Sequence, residues 1–268
     1  MAKRNKKTRT QLAFELDAIL KILEDSFILK LASFFKKLAS QFLAKADNLP
    51  MFQKKLKEID KQEIAGLKKL INEYYKKVGS ATIKQTRAEL KELSEKSTKF
   101  TVINVPENLR LRAEELAKQK LKDYRDNLIG KIQSQEGTLK DKALLKKQIK
   151  NASKQFINRN VTIVARMESI TVANDRRLEA FQKSNIVAGV QFLAVLDKRT
   201  TQICKSRHSM ILKLDDPQLP NFRPPCHFGC RSLLSPVTIF EKFVYTPNAE
   251  LKAVPPKDFG KSKKKDKL

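Results

Sequence analysis

Apolar residues recur every three or four positions along most of the first 183 residues, which is the period of an amphipathic helix. In the first helical segment, lysines lie off a single apolar stripe that comprises Phe27, Leu31, Phe34, Leu38 and Phe42. Such a stripe is typical of a helix packed in a bundle. A basic amphipathic helix lying on a membrane surface has the same pattern, so that alternative stays open.

Proline and glycine divide the helical region into successive segments. The predicted helices span residues 8–49, 52–78, 81–95, 106–130, 139–157 and 161–183. Gly79 and Ser80 are expected to end the second helix, and residues 99–105 are expected to form a strand or an extended linker. Asn174 falls on the apolar face of the last helix, where a buried amide needs hydrogen-bond partners.

The composition changes after Ser184. Residues 187–196 are β-branched and aromatic enough for a strand, and residues 197–236 are rich in proline and have little helical periodicity. The sequence therefore predicts a mainly α fold of long helices with a small, loop-rich α+β module near the C-terminus. Three regions are expected: an N-terminal helical docking region or arm (1–98), a domain (99–240) that contains this module at 187–237, and a basic disordered tail (241–268).

The chain is strongly basic, with 56 Lys and Arg against 29 Asp and Glu and a net charge of +27. Such an excess favours a polyanionic partner, and double-stranded DNA bound without sequence preference is the expected one. An acidic protein surface, an anionic membrane or a merely solvated lysine-rich surface are the alternatives. The tail lysines predicted to bind nucleic acid are Lys257, Lys261, Lys263, Lys264, Lys265 and Lys267.

No secretory signal follows the basic first residues, and the most apolar segment, 27–43, is interrupted by lysines, so no membrane anchor is expected. A reducing cytoplasm is therefore the expected compartment. Cysteines in that compartment are more often thiols or metal ligands than disulfides.

All the cysteines and histidines lie in one window of 27 residues, at Cys204, His208, Cys226, His227 and Cys230. Two close pairs joined by a loop are a common way to supply four zinc ligands, and the first choice of ligands is Cys204, His208, His227 and Cys230, with Cys226 as the alternative ligand. A closed set of four would make the zinc structural. A metal-free cluster held by hydrogen bonds and packing, a disulfide and a nucleophilic cysteine remain alternatives.

An enzyme is not expected. Cys204, His227 and Asp197 can be combined into a nucleophile, base and orienting group, but no glycine-rich oxyanion element accompanies them. No phosphate-binding glycine loop and no paired-carboxylate motif occurs either.

An ordered series of short motifs resembles the head morphogenesis domain of tailed-phage minor head proteins, the phage Mu F-like family. The motifs are Arg166-Met-Glu168, Ala173-Asn174, Gly189-Val-Gln-Phe192, Leu196-Asp197-Lys-Arg199-Thr200, Cys204 and Pro224-Pro225-Cys-His227-Phe-Gly-Cys230-Arg231-Ser232. The resemblance covers residues 105–237. In two departures from the family pattern, Cys226 replaces an aliphatic residue, and Phe192 stands where the aromatic residue is often Trp or Tyr.

The resemblance implies a protein of the virion, at the portal vertex or in the head interior, which is present in the host cytoplasm during assembly. It also implies a portal partner, few copies per head, an influence on DNA packaging or ejection, and no enzymatic activity. The signature positions carried over are Arg166, Glu168, Asn174, Asp197, Arg199, Thr200, Cys204, Pro225, His227, Cys230 and Arg231. The alternative is a cytoplasmic, zinc-containing, nucleic-acid-binding protein unrelated to capsids.

Overall fold

The computed structural model describes residues 8–94, 106–134 and 141–259. Within these ranges the chain forms five helices of nine residues or more, three short helices and a three-stranded sheet. The elements are α1 (Arg9–Lys45), α2 (Leu49–Lys57), α3 (Lys61–Ser94), α4 (Glu107–Gln133), α5 (Lys142–Gln182), β1 (Val187–Leu193), α6 (Gln202–Lys205), β2 (Ile211–Lys213), α7 (Leu219–Phe222), β3 (Leu233–Thr238) and α8 (Asn248–Ala253). The predicted fold class, mainly α with a small C-terminal α+β part, is confirmed.

The described residues group into two compact units, each built from segments that are distant in the sequence. One unit comprises Leu23–Lys76 and Asn104–Ala165, and we call it the helical unit. The other comprises Met1–Ile22, Lys77–Ile103 and Arg166–Leu268, and we call it the sheet unit. This grouping differs from the expected division at residues 98 and 99, which itself lies outside the described residues. Because α1, α3 and α5 are 34–41 residues long, each contributes to both units.

Aromatic side chains form the core of the helical unit. Phe35, Tyr124 and Phe156 pack against one another with ring centroids 5.1 Å apart, and Phe27 stacks on Tyr74 at 3.9 Å. Four of the five residues in the predicted apolar stripe of α1 are buried, but Phe34 is half-exposed and the neighbouring Phe35 is buried instead. The α-helical period places residues one position apart on different faces, so only one of the two can point inward.

The sheet unit is built on an antiparallel sheet with the strand order β2-β1-β3. In the register of the sheet, Gly189 of β1 lies opposite Lys213 of β2, and Val190 lies opposite Pro236 of β3. Every residue of β3 is buried. The buried amide of Asn174 on α5 accepts a hydrogen bond from the Leu234 N–H at 2.8 Å and donates one to Ile170 O at 2.8 Å. This side chain therefore ties α5 to β3.

Two predicted helix ends are wrong. Gly79 and Ser80 lie inside α3, because the cost of a glycine in a helix, about 1 kcal/mol, is outweighed by burial of the neighbouring Val78 and Ile83. Helix α5 also runs without a break through residues 158–160. There Asn160 donates to Phe156 O at 3.0 Å within the helix.

The prediction of a disordered tail from residue 241 is wrong for residues 241–259. Helix α8 forms there with Leu251 buried, and the Thr246 N–H donates to Ile211 O at 2.9 Å. Buried apolar surface and backbone pairing with β2 supply the order that a lysine count does not reveal. Residues 260–268, and the predicted strand or linker at 99–105, lie outside the described residues. Among the described helices, none has an apolar stretch long enough to span a bilayer.

Candidate metal centre

The Cys/His group is assembled from two loops of the sheet unit. Cys204 lies in the short helix α6, which Thr201 caps at its N-terminus. His227 and Cys230 belong to a tight turn that precedes β3 and is closed by a bond from the Cys230 N–H to His227 O at 3.2 Å. Gly229, with φ 71°, occupies the left-handed conformation in this turn, which glycine adopts without steric cost.

The turn brings three side chains of the predicted ligand set together. The Cys204 and Cys230 sulfur atoms are 3.8 Å apart, and His227 Nε2 is 3.2 Å from Cys204 Sγ. These three donor atoms all lie within 4.8 Å of one another. The cysteines are buried free thiols, and His227 is half-buried.

His227 is oriented by its own loop. Its Nδ1 lies 2.8 Å from Phe228 O, so a proton on Nδ1 is donated to that carbonyl. The lone pair of Nε2 then points toward the thiols. A backbone carbonyl that holds the distal ring nitrogen in this way is the usual support of a metal-binding histidine.

Cys226 supplies a third thiol beside the group. It is fully buried and lies beside the thiols of Cys204 and Cys230. The neighbouring thiols of Cys204 and Cys230, together with burial, raise the pKa of Cys226. The bonds that Cys204 and Cys226 make to Cys230 lower the pKa of Cys230 well below that of an ordinary thiol.

The other two members of the group have raised pKa values. The pKa of Cys204 is raised because the bond from Cys226, which lowers it, is outweighed by the bond to Cys230 and by burial. The nearby Cys230 thiol also raises the pKa of His227. Cys230 is therefore the thiol that ionises first.

His208 does not join the group, so its place in the predicted ligand set is a correction. Its Nδ1 accepts a hydrogen bond from the Ala194 N–H at 3.2 Å, at the end of β1. Burial lowers the pKa of this imidazole, which favours the neutral form that such an acceptor requires. Spacing alone does not reveal that the Ala194 N–H, directly after β1, bonds to this ring nitrogen.

Asp197 and Arg231 connect the two loops beside the thiols. Arg231 donates through both terminal nitrogens to the carboxylate, at 2.8 and 2.6 Å, and this contact holds the pKa of Asp197 far below its usual range. The Asp197 carboxylate also accepts from the Arg199 N–H at 2.9 Å, and Thr200 Oγ1 donates to Val195 O. The aspartate, arginine and threonine of the signature thus shape the turn that leads to Cys204.

The remaining signature positions are not members of the Cys/His donor group. Arg166 forms an ion pair with Asp17, Glu168 is buried on α5, and Pro225 follows a cis peptide bond in the loop that carries Cys226. Arg199 is largely exposed, with its Nε 3.9 Å from Asp197.

Sequence reasoning missed Arg207, which lies between Cys204 and the C-terminal segment. Its buried guanidinium donates to Ile203 O at 2.8 Å and to Pro255 O at 2.5 Å, and it lies over the Phe222 ring at 5.4 Å. The charge of an arginine in a loop normally indicates solvent exposure, so the sequence carries no signal for this role. Beyond it, the Asp258 N–H donates to Cys226 O at 3.0 Å.

Only one of the lysines predicted to bind nucleic acid lies in the described part of the chain. Lys257 donates from Nζ to Arg223 O at 2.6 Å, and burial lowers its pKa. It therefore holds the C-terminal segment against the loop before Cys226. Lys261, Lys263, Lys264, Lys265 and Lys267 lie outside the described residues.

The donor set fits a metal ion. Two thiols and one imidazole, with a third thiol adjacent, are the soft and borderline ligands that bind zinc and similar transition metals. The Cys204, His227 and Cys230 group can therefore hold a metal.

Comparison with known families agrees with the motifs. The model of the family described as Phage Mu protein F like protein matches residues 125–235, a segment that contains all three members of the Cys/His group together with Asn174, Asp197 and Arg231. Searches of curated proteins and of solved structures gave no match. The resemblance found in the motifs is thereby confirmed: residues 125–235 are similar to the family described as Phage Mu protein F like protein.

Proposed function

We propose that this protein is a non-enzymatic minor head protein of a tailed phage or prophage. It associates with the portal vertex and assists head assembly, DNA packaging or DNA ejection. The match of residues 125–235 to the Mu F-like family carries this proposal. The buried Cys/His group supports the absence of an enzymatic role from this proposal. Its cysteines are enclosed by the protein, and such a group is suited to hold two loops together.

Incorporation into heads tests the proposal directly. An epitope-tagged copy, expressed from the phage or prophage that encodes it, is expected in purified procapsids and virions at a few copies per head, and it should co-purify with the co-expressed portal protein. Absence from purified heads would contradict the head role. Presence in heads that lack portal protein would contradict the portal association.

The net charge of +27 supports sequence-independent binding to double-stranded DNA. Contacts to phosphates release counterions, so affinity falls steeply with salt, by a factor of about 10³ or more between 50 and 200 mM salt for six or more contacts. Gel retardation with two unrelated duplexes should show equal affinity for both and this salt dependence. Affinity that does not change with salt would refute the electrostatic account.

A matched pair of variants tests the contribution of the C-terminal lysines. Replacement of Lys261, Lys263, Lys264, Lys265 and Lys267 by Gln should weaken DNA binding and reduce the salt dependence. The control replaces the same number of exposed lysines on α4 and α5, namely Lys122, Lys131, Lys147, Lys150 and Lys154. Equal losses in both variants would show that total charge, and not the C-terminal cluster, governs binding.

The metal in this account is a structural zinc ion. Cys204, His227 and Cys230 would hold it, and Cys226 is the adjacent donor suited to complete a closed set of four. Zinc would neutralise the thiolates and cross-link the loop of α6 to the turn before β3.

A further inference from the structure

The helical unit contains an open groove with a volume of about 620 Å³. Helix α1 forms one side of it, and α2 with the start of α3 forms the other. The residues that decide its chemistry are Phe34, Lys37, Leu38, Lys45, Lys55 and Glu63. A second depression of about 450 Å³ shares Lys45 and Lys55 and continues past Met51, whose side chain is 52% exposed. Together the two depressions have room for several residues of a bound chain.

The floor of the groove is apolar. Phe34 and Leu38 are one helical turn apart on α1, and Ala44 lies on the same side of the groove. Phe34 packs edge-on against the buried Phe35, with ring centroids 5.5 Å apart, and is itself half-buried. An aromatic side chain that is held in place by a buried neighbour and is partly accessible to solvent can pack against an apolar side chain of a partner.

The carboxylates that line the groove form ion pairs with basic side chains of this protein. Glu63 is buried and forms ion pairs with both Lys55 and Arg125, and Lys55 Nζ also lies 3.8 Å from Asp60. By contrast, no carboxylate in the described ranges lies within ion-pair distance of Lys37 or Lys45. Within the described residues, the groove therefore presents two ammonium groups without a carboxylate partner beside its apolar floor.

We propose that this groove docks an acidic amphipathic segment of a partner protein. An apolar side chain of the segment packs on the exposed part of Phe34, and its carboxylates pair with Lys37 and Lys45. The apolar floor favours a peptide over DNA, because a duplex offers phosphates to the lysines but no side chain to cover Phe34. The groove residues precede the matched segment 125–235, so the inference goes beyond the proposed function and does not depend on it.

The probe is a fluorescein-labelled peptide with leucines at helical spacing and glutamates elsewhere, measured by fluorescence anisotropy against the full chain. A peptide of the same composition in scrambled order is the reference, because it keeps the charge and loses the apolar face. We expect the amphipathic peptide to bind about tenfold more tightly than the scrambled one. Equal affinities would overturn the proposal.

Two variants with the same change in charge locate the binding. The Lys37→Glu/Lys45→Glu variant should weaken peptide binding about tenfold or more, because two attractive contacts become repulsive. The control, Lys147→Glu/Lys150→Glu, changes two exposed lysines of α5 in the same unit and should leave affinity within about twofold. Equal loss in both variants would mean that net charge alone attracts the peptide, which would overturn the proposal.

A third variant separates the apolar floor from the charges. Phe34→Ser should abolish the preference for the amphipathic peptide over the scrambled one, with unchanged helical circular dichroism as the check on folding. The same variants are then measured with duplex DNA and with vesicles of phosphatidylserine and phosphatidylcholine. If Lys37→Glu/Lys45→Glu reduces binding to DNA or vesicles but not to the peptide, the groove serves a different ligand and the proposal fails.

Discussion

Arg177 of α5 and Glu89 of α3 form an ion pair that is shielded from solvent, with side chains 0% and 1% exposed and Arg177 Nη2 2.6 Å from Glu89 Oε2. Two further groups of the pair, Arg177 Nε and Glu89 Oε1, contact β3. Arg177 Nε donates to Leu234 O at 2.7 Å, and Ser235 Oγ donates to Glu89 Oε1 at 2.9 Å. Because β3 begins three residues after Cys230, the pair also fixes the strand that follows the Cys/His turn.

Removing one member of this pair should be costly. Arg177→Met leaves the Glu89 carboxylate buried without its partner, and we expect the free energy of unfolding to fall by about 3–5 kcal/mol, measured in urea. The double variant Arg177→Met/Glu89→Met removes both charges and should be less destabilised than the sum of the single variants. Additive losses would show that the two side chains do not interact.

Two glycines give opposite expectations. A Cβ atom on Gly189 would lie 2.5 Å from Leu212 O of the neighbouring strand, so Gly189→Ala should lower the free energy of unfolding by about 1–3 kcal/mol. Nothing lies within 4 Å of the corresponding position on Gly130 in α4, so Gly130→Ala should raise it by about 0.5–1 kcal/mol. Urea unfolding of both variants checks the pair, and a neutral Gly189→Ala would mean that β1 and β2 pair less closely than described.

Tyr124 is expected to give the helical unit an alkaline limit. Burial raises the pKa of its phenol to about 12, and the hydroxyl bonds to Ser153 Oγ at 2.7 Å. The folded-state pKa lies above the unfolded value of about 10, so this contribution to stability is complete below pH 10 and is lost as the pH rises toward 12. Unfolding in urea at stepped pH should show the decline.

Tyr124→Phe tests the origin of that decline. This change should reduce the loss of stability between pH 10 and 12. At neutral pH it should lower the free energy of unfolding by only about 1 kcal/mol, because Ser153 Oγ keeps its bond to Ile149 O. The matched control is Tyr245→Phe, which removes the hydroxyl bond to Ala188 O and should retain the alkaline decline. A decline that is unchanged in Tyr124→Phe would assign it to other groups.

Periodicity predicted the helices because their apolar residues are local signals. The apolar stripe predicted within the first helix lies in α1, and Pro106 directly precedes the first residue of α4. The predicted helix ends near residues 79 and 157 were wrong. Burial of the adjacent Val78 and Val161 outweighs the low helix propensity of Gly79 and Asn158. The two units could not be predicted, since each joins segments that the residues of the other unit separate in the sequence.

The candidate site was predicted in part for a related reason. The spacing of Cys204, His227 and Cys230 indicated a group, and the structure brings them together. Whether a ring nitrogen is available depends on the backbone around it, so the sequence did not reveal that Ala194 uses Nδ1 of His208. The buried roles of Arg177 and Arg207 were also hidden, because an arginine in a basic chain normally indicates solvent exposure.

Elemental analysis of the purified chain tests the zinc proposal and the ligand set together. We expect about one zinc per chain in the unaltered protein and its loss in Cys204→Ser and Cys230→Ser, because each change removes a thiolate ligand. Cys226→Ser should lower the zinc content or its resistance to a chelator. His208→Asn is the control and should retain zinc, since His208 lies outside the group.

The thermal stability of the same variants gives a second measurement. A bound zinc stabilises the folded state by mass action, so a chelator should lower the Tm of the unaltered protein and of His208→Asn but not that of Cys204→Ser. A protein without metal, with a Tm that the chelator does not change, would identify the group as a hydrogen-bonded thiol cluster instead. Loss of zinc in His208→Asn would contradict the ligand set, because His208 lies outside the group formed by Cys204, His227 and Cys230.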